Sequence, residues 1–265
     1  MSAEFTPANE LERLLMDAAD NPAVRPEFYR LLMESTIFVL TPPEEGEGVR
    51  TFRKGESVQF VSWSNDERKG IALFTSLERA RESLDRTGGN WSYLAFPAKD
   101  LFEMLAEGDL PAILNPDCAY GKVLTQDEMA DIASGTILES APTEVLEEDR
   151  QVMIGEPSKY PHDLVRALQD LFTRTPAVQA GYLAQYFDAA SDESPHLLIA
   201  LKMDEEKIDQ ISQDAAMVTR DVFEGNVDFI SLDETDDIGD YFLTQTKPFY
   251  EIGGGRSFLG RLFGK

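Results

Sequence analysis

Residues 178–201, VQAGYLAQYFDAASDESPHLLIAL, decide the architecture. Val178 to Phe187 mix alternating and aromatic residues, and Pro195 to Leu201 form a second apolar run after a short polar stretch. Two such runs, this close together, read as neighbouring strands. Asp204 then caps a long helix in which Ile208, Ile211, Ala215, Val218 and Val222 step by three and four, and Gly225-Asn226 ends it. Val227 to Leu232 is the next strand. Upstream, Val152-Met153-Ile154 reads as a strand and Gly155-Glu156-Pro157 as a turn. Pro161 fits the first turn of a helix carrying Leu164, Val165, Leu168, Leu171 and Phe172. Strands thus occur both side by side and separated by helices. That order predicts mixed α+β domains, each a small sheet packed with helices, rather than a doubly wound parallel sheet.

The first half follows the same grammar. Leu11, Leu14, Leu15 and Ala18 mark an amphipathic helix over 9–18, and Phe28, Leu31 and Leu32 a second one after Asn21-Pro22. Thr36 to Leu40, Val58 to Val61 and Ile71 to Phe74 read as strands. Thr75-Ser76 caps a helix with Leu77, Ala80 and Leu84 on one side. Trp91 to Phe96 is a further strand, and Leu101, Phe102 and Leu105 form a helical face before Gly108. Ile113-Leu114 leads into the Asn115-Pro116-Asp117 turn, and Thr125 with Glu128 makes a capping box. Residues 139–150 are acidic and poor in bulky apolar side chains, which marks a linker. The expected division is a domain over 1–138, the linker over 139–150, and a second domain over 151–265.

Charge is distributed unevenly. Residues 1–244 hold 48 Asp+Glu against 20 Lys+Arg, a formal −28, whereas 245–265 hold four cations against Glu251, or +3. An acidic body repels nucleic-acid phosphates and anionic membranes at long range, so neither is expected as a partner. The single cysteine, Cys118, rules out an intrachain disulfide and suits a reducing compartment. The start of the chain lacks the basic and apolar parts of a signal peptide, and no apolar run approaches the roughly 18–20 residues that span a bilayer. The expected location is cytoplasmic.

No catalytic signature emerges. His162 and His196 lie in separate elements, and one cysteine cannot complete a zinc set, so no metal or cofactor is expected. The acidic run Asp233, Glu234, Asp236, Asp237 and Asp240 fails as a calcium loop, because Ile238 stands where glycine is required; it reads as a solvated loop. Cys118 has no neighbouring base, and Gly253-Gly254-Gly255-Arg256 is a linker rather than a phosphate cradle. What stands out is the C-terminal segment itself. Phe249, Tyr250, Phe258, Leu259, Arg261, Leu262 and Phe263 form an aromatic, basic tail that should dock on its own fold, on a second copy or on another protein.

Several stretches resemble the SseB, or "enhanced serine sensitivity", family. Ile154-Gly155-Glu156-Pro157, Tyr160-Pro161 with Leu164 and Ala167-Leu168, Leu171-Phe172, Val178 with Ala180-Gly181-Tyr182-Leu183-Ala184, and Pro195-His196-Leu197-Leu198-Ile199 are similar to the family's C-terminal domain. Val227-Asp228-Phe229, Pro248-Phe249-Tyr250 and Phe258 to Phe263 match the end of that pattern. Ala72 to Ser76, Ile113 to Pro116 and Gly121 are similar to its N-terminal domain. The resemblance implies bacterial origin, two domains and a name taken from an overexpression phenotype. It carries over no active site.

Three functions fit these observations. A non-enzymatic cytoplasmic accessory protein would act through protein contact or self-association, with the tail as the contact element. An enzyme or small-molecule sensor of amino-acid metabolism would need a cleft. An acidic inhibitor or immunity-type protein would need a basic partner. The sequence favours the first.

Overall fold

The computed structural model describes residues 5–43, 58–65, 68–88, 91–139, 152–188, 194–232 and 237–253. They form helices and two mixed sheets in a two-domain α+β arrangement. The chain divides into two compact units, Met1–Asp20 with Glu27–Ile137, and Asn21–Pro26 with Leu138–Lys265. Grouping of Asn21–Pro26 with the second unit is invisible in the sequence. It follows from Ala23, which packs among the apolar side chains of that unit, and from Arg25, which pairs with Asp221.

The first unit opens with α1 (Glu10–Asp20) and α2 (Arg25–Glu34). Strands β1 (Thr36–Thr41), β2 (Ser62–Ser64) and β3 (Lys69–Phe74) follow, then α3 (Leu77–Thr87), β4 (Ser92–Pro97) and α4 (Ala98–Ala106). Two three-residue strands, β5 (Ala112–Leu114) and β6 (Lys122–Leu124), precede α5 (Gln126–Ser134). The sheet runs β4-β1-β3-β5-β6, with β2 paired to the start of β3. Among the described strands of this sheet, only β3 and β5 pair in parallel. Along β1 the buried residues Ile37 and Val39 face one way, while Phe38 and Leu40 join Ala72, Phe74 and Ala80 under α3.

One strand expectation shifts here, and two strands were not foreseen. Val58 to Val61 is not a strand; Val61 contributes a single bond to the Leu40 carbonyl, and pairing begins at Ser62. Neither β5 nor β6 was legible, because three residues are too few to show a period of two.

In the second unit β7 (Val152–Gly155) and α6 (His162–Thr173) lead to the eleven-residue β8 (Val178–Asp188) and to β9 (His196–Met203). Helix α7 (Ile208–Val222), β10 (Val227–Ser231), α8 (Asp237–Gln245) and β11 (Tyr250–Glu251) complete it. The sheet order is β10-β9-β8-β11, and β7 pairs with the far end of β8 on the same edge as β11. Leu183, Leu197, Ile199 and Leu201 face α6 and α7; Tyr182, Ala184, Leu198 and Ala200 face Phe242 of α8. The sheet is therefore covered on both sides. Asp204 caps the 3-10 turn ahead of α7 rather than α7 itself, accepting from the Glu206 N–H. Asp237 and Asp240 belong to the first turn of α8 and not to a loop, a position where acids complement the helix dipole.

One close approach in the first sheet is demanding. A Cβ on Gly70 would lie 2.6 Å from the Pro111 carbonyl oxygen and 2.9 Å from Ile113. Backbone cannot yield as a side-chain tip can. Gly70→Ala is expected to destabilise the protein by about 1–3 kcal/mol in urea unfolding; an unchanged midpoint would show that β3 and the chain entering β5 separate without cost.

Candidate functional site

Three places in the described residues concentrate chemistry. Each is internal to one unit.

The first is the beginning of the aromatic tail. Phe249 and Tyr250 pack on the buried ring of Phe172 at 6.1 and 5.5 Å between centroids. The backbone is tied down as well: Phe249 N–H donates to the Gly181 carbonyl (2.8 Å) and Ile252 N–H to that of Gln179 (2.8 Å). Gln169 Nε2 donates to the Phe249 carbonyl (2.6 Å), and the Tyr250 hydroxyl to the Phe172 carbonyl (2.9 Å). Glycine at 181 makes the approach possible, since a Cβ there would sit 3.0 Å from the Phe249 ring. Burial pushes the Tyr250 phenol up, so it stays a neutral donor. Phe258, Leu259, Arg261, Leu262 and Phe263 lie outside the described residues.

The second is a buried polar network in the first unit. Glu12 is 0% exposed and Arg79 nearly so. Arg79 donates to Glu12 Oε2 from Nε (3.2 Å) and Nη2 (3.0 Å). The Ala8 N–H donates to the same oxygen (2.7 Å), while Thr75 Oγ1 (2.7 Å) and Ser76 Oγ (3.0 Å) donate to Oε1. Asn115 donates from Nδ2 to Thr75 Oγ1 (2.8 Å) and accepts the Thr75 N–H at Oδ1 (3.0 Å). Arg79 also reaches the Thr6 carbonyl and lies 4.5 Å over the Phe5 ring. Burial pushes the Glu12 carboxyl up, but the donors from Ala8, Arg79, Thr75 and Ser76 outweigh it and leave it below its ordinary value.

This network binds the segment at 5–9, α1, the β3–α3 junction and the 115–121 loop. Asn115 and Asp117 carry φ of +50° and +61°, unusual for residues other than glycine. Both oxygens of Glu12 are saturated by protein donors, which suits holding rather than proton transfer. Cys118 sits in the same loop. Burial raises its thiol against the opposing Arg86 and Arg79, the reverse of an activated nucleophile. The sequence did contain a signal for Glu12. Asn9-x-x-Glu12 has capping-box spacing, and Asn9 Oδ1 does accept the Glu12 N–H (2.9 Å).

The third is a cleft of about 700 Å³ at one end of the second unit. Its walls are the 157–164 segment, the start of β9 and the 222–226 turn, with Leu164, Leu197 and Phe223 among its apolar lining. Both histidines of the chain border it, but they are not brought together. His196 stands opposite Tyr186, 4.8 Å from its ring, and its Nε2 is 2.7 Å from Asp228 Oδ2. Tyr186 belongs to the α8 side of the sheet, and His196, its partner in register, shares that side. His162 is exposed beside Tyr160. Among the described residues, no group of three or more His, Cys, Asp or Glu is placed to hold a metal ion. No described helix is long and apolar enough to cross a membrane.

A two-unit α+β chain whose tail returns to its own sheet is the class this geometry defines. Comparison with protein families matches residues 11–131 to the SseB protein N-terminal domain and residues 146–251 to the SseB protein C-terminal domain. The chain belongs to the SseB family. It is 27% identical over 247 residues to Protein SseB of Escherichia coli (strain K12), covering 92% of both chains, and equally to Protein SseB of Shigella flexneri. No solved structure matches.

Replacing Glu12 by Gln tests the network. The substitution leaves Arg79 buried and short of its carboxylate, with an expected loss of about 3 kcal/mol at pH 7. A carboxyl whose folded value is depressed stabilises above its ordinary 4.5 and loses that contribution as pH falls through the lower folded value. The gap between wild type and Glu12→Gln in urea unfolding should therefore be widest at neutral pH and narrow below about 4.5. A gap independent of pH would mean that Glu12 charge is not what holds Arg79.

Proposed function

We propose that this SseB-family protein is a non-enzymatic accessory protein that acts by protein contact, with residues 254–265 as the contact element. One observation carries the reading. Strand β11 fixes Phe249 and Tyr250 into the second unit immediately before a stretch containing Phe258, Leu259, Leu262 and Phe263. That stretch also holds Arg256, Arg261 and Lys265, with no acid. An anchored base presenting apolar and cationic groups on a protein of net charge −25 is suited to seizing another surface. The Glu12–Arg79 network supports the same view, since its saturated carboxylate offers nothing to a substrate. Cytoplasmic residence accords with the single cysteine.

A second reading has the 700 Å³ cleft in its favour. It makes the second unit a small-molecule sensor, and its volume falls within the roughly 300–1,000 Å³ of ligand sites. A screen of small polar metabolites by thermal shift addresses it; a saturable shift abolished by Phe223→Trp would support it, and no shift would remove it.

Two truncations separate anchor from contact element. Ending the chain after Gly253 keeps β11 and should leave the melting temperature within about 2 °C. Ending it after Lys247 removes Phe249 and Tyr250 from the core and should lower melting by roughly 10 °C. Complexes of defined stoichiometry, with itself or with another protein, should form at low salt with the full chain and vanish with the 1–253 form. Equal behaviour of the two forms would reject the proposal.

A further inference from the structure

His196 is buried with its polar atoms unmet. Its side chain is 10% exposed, and among the described residues neither ring nitrogen makes a well-aligned hydrogen bond. It is nevertheless closely flanked. Asp228 Oδ2 of β10 lies 2.7 Å from Nε2, and the Tyr186 ring of β8 is 4.8 Å away between centroids. Register explains the meeting. Tyr186 is opposite His196 and Asp228 is opposite Leu198, so all three stand on the α8 side of neighbouring strands. The Asp228 side chain is 58% exposed and stays in contact with water.

We propose that Tyr186, His196 and Asp228 form a proton-operated clasp on β10, which tightens when the imidazole is charged. The poor alignment decides this. A neutral imidazole offers Asp228 only a directional N–H, and the direction here is unfavourable. An imidazolium offers a full positive charge, whose attraction to a carboxylate depends on distance more than on angle. The Tyr186 ring attracts the same charge. Protonation therefore adds attraction across β8, β9 and β10, with the cost of charging a buried ring set against it. Other groups on this side do not reverse the sign. Strand β7 contributes Ile154 and β10 Ile230; α8 contributes Ile238, Tyr241 and Phe242, and opens with the acids Asp237 and Asp240. Lys202, a cation on the same side, stands six residues further along β9. A clasp matters most for β10, since among the described residues that strand pairs with β9 alone. The device is independent of residues 254–265.

Histidine changes charge between about pH 5 and 8, so the effect is read across that range. A histidine that gains a partner when charged stabilises at low pH and loses that contribution as pH rises. Hydrogen exchange reports it locally, because opening of β10 exposes its amides. After correction for intrinsic rates, exchange over residues 227–231 should be about fivefold slower at pH 5.5 than at pH 8. Asp228→Asn, at an exposed position, and His196→Gln should each abolish that ratio. His162→Gln, which removes the chain's other histidine, should preserve it. A wild-type ratio near one, or the same ratio in Asp228→Asn, would overturn the inference. If His196→Gln fails to fold, Asp228→Asn decides alone.

Discussion

Strand β8 must be buried on both faces, and the second unit is built to meet that constraint. From Ala180 onward its residues alternate between the α8 side, with Ala180, Tyr182 and Ala184, and the α6–α7 side, with Leu183, and a bulge between Val178 and Ala180 puts Val178 on the α6–α7 side too. One edge is filled by β9; the other is divided between β7 and β11. Shifting this strand by a single residue would exchange both apolar sets at once, so its register is strongly specified. The tail anchor is a consequence. With Gly181 open toward α6, the chain can return after α8 and lay Phe249 and Tyr250 against Phe172.

The first unit solves a different problem. Glu12 and Arg79 are taken out of water, and a buried ion pair stabilises only if its remaining hydrogen-bonding capacity is met. Here it is met by the segment ahead of α1, the β3–α3 junction and α3. Such an arrangement discriminates between correct and incorrect assembly more than it adds net stability, because any segment out of place strands a charge. The left-handed conformations at Asn115 and Asp117 fit this role. Asn115 is 1% exposed and gives both ends of its amide to Thr75, so the loop geometry serves the network. Strain in that loop has a structural cause in hand, and Cys118 gains no reactivity from it.

The long periodic elements were legible: α7 in its steps of three and four, β8 and β9 in their apolar runs, α5 in its Thr125–Glu128 capping box. In that last case the side chain went elsewhere. Glu128 receives the Thr125 cap through its N–H, but its carboxylate meets Lys122 (2.9 Å) and Tyr29. Short elements were not legible, because β5, β6 and β11 are fixed by their neighbours rather than by their own pattern. The polar network was half visible. Thr75-Ser76 and Asn115-Pro116 stood out as motifs, yet only the fold shows that Thr75 and Ser76 share the Glu12 carboxylate, 63 and 64 residues away, and that Asn115 bonds Thr75 across 40 residues. The cleft had no signature at all, being made from three separated loops. His162 and His196, read as lying in separate elements, both border the cleft, and strand parity puts His196 on the α8 side.

These features bear differently on the proposed contact role and on chemistry. A catalytic group needs an unsatisfied lone pair or a poised proton within reach of a substrate. Glu12 has its lone pairs filled and burial raises the Cys118 thiol; His196 Nε2 lies 2.7 Å from Asp228 Oδ2, yet neither buried ring nitrogen makes a well-aligned hydrogen bond. Among the described residues, Tyr93 on β4 and Trp91 just before it are exposed aromatic side chains, and the sequence after Gly253 is basic and apolar. In a chain of net charge −25, self-repulsion opposes casual association. A contact made against that background has to combine buried aromatic area with opposite charge, and residues 254–265 carry both. On the proposed reading, the acidity of residues 1–244 is what would make the basic segment at 254–265 selective.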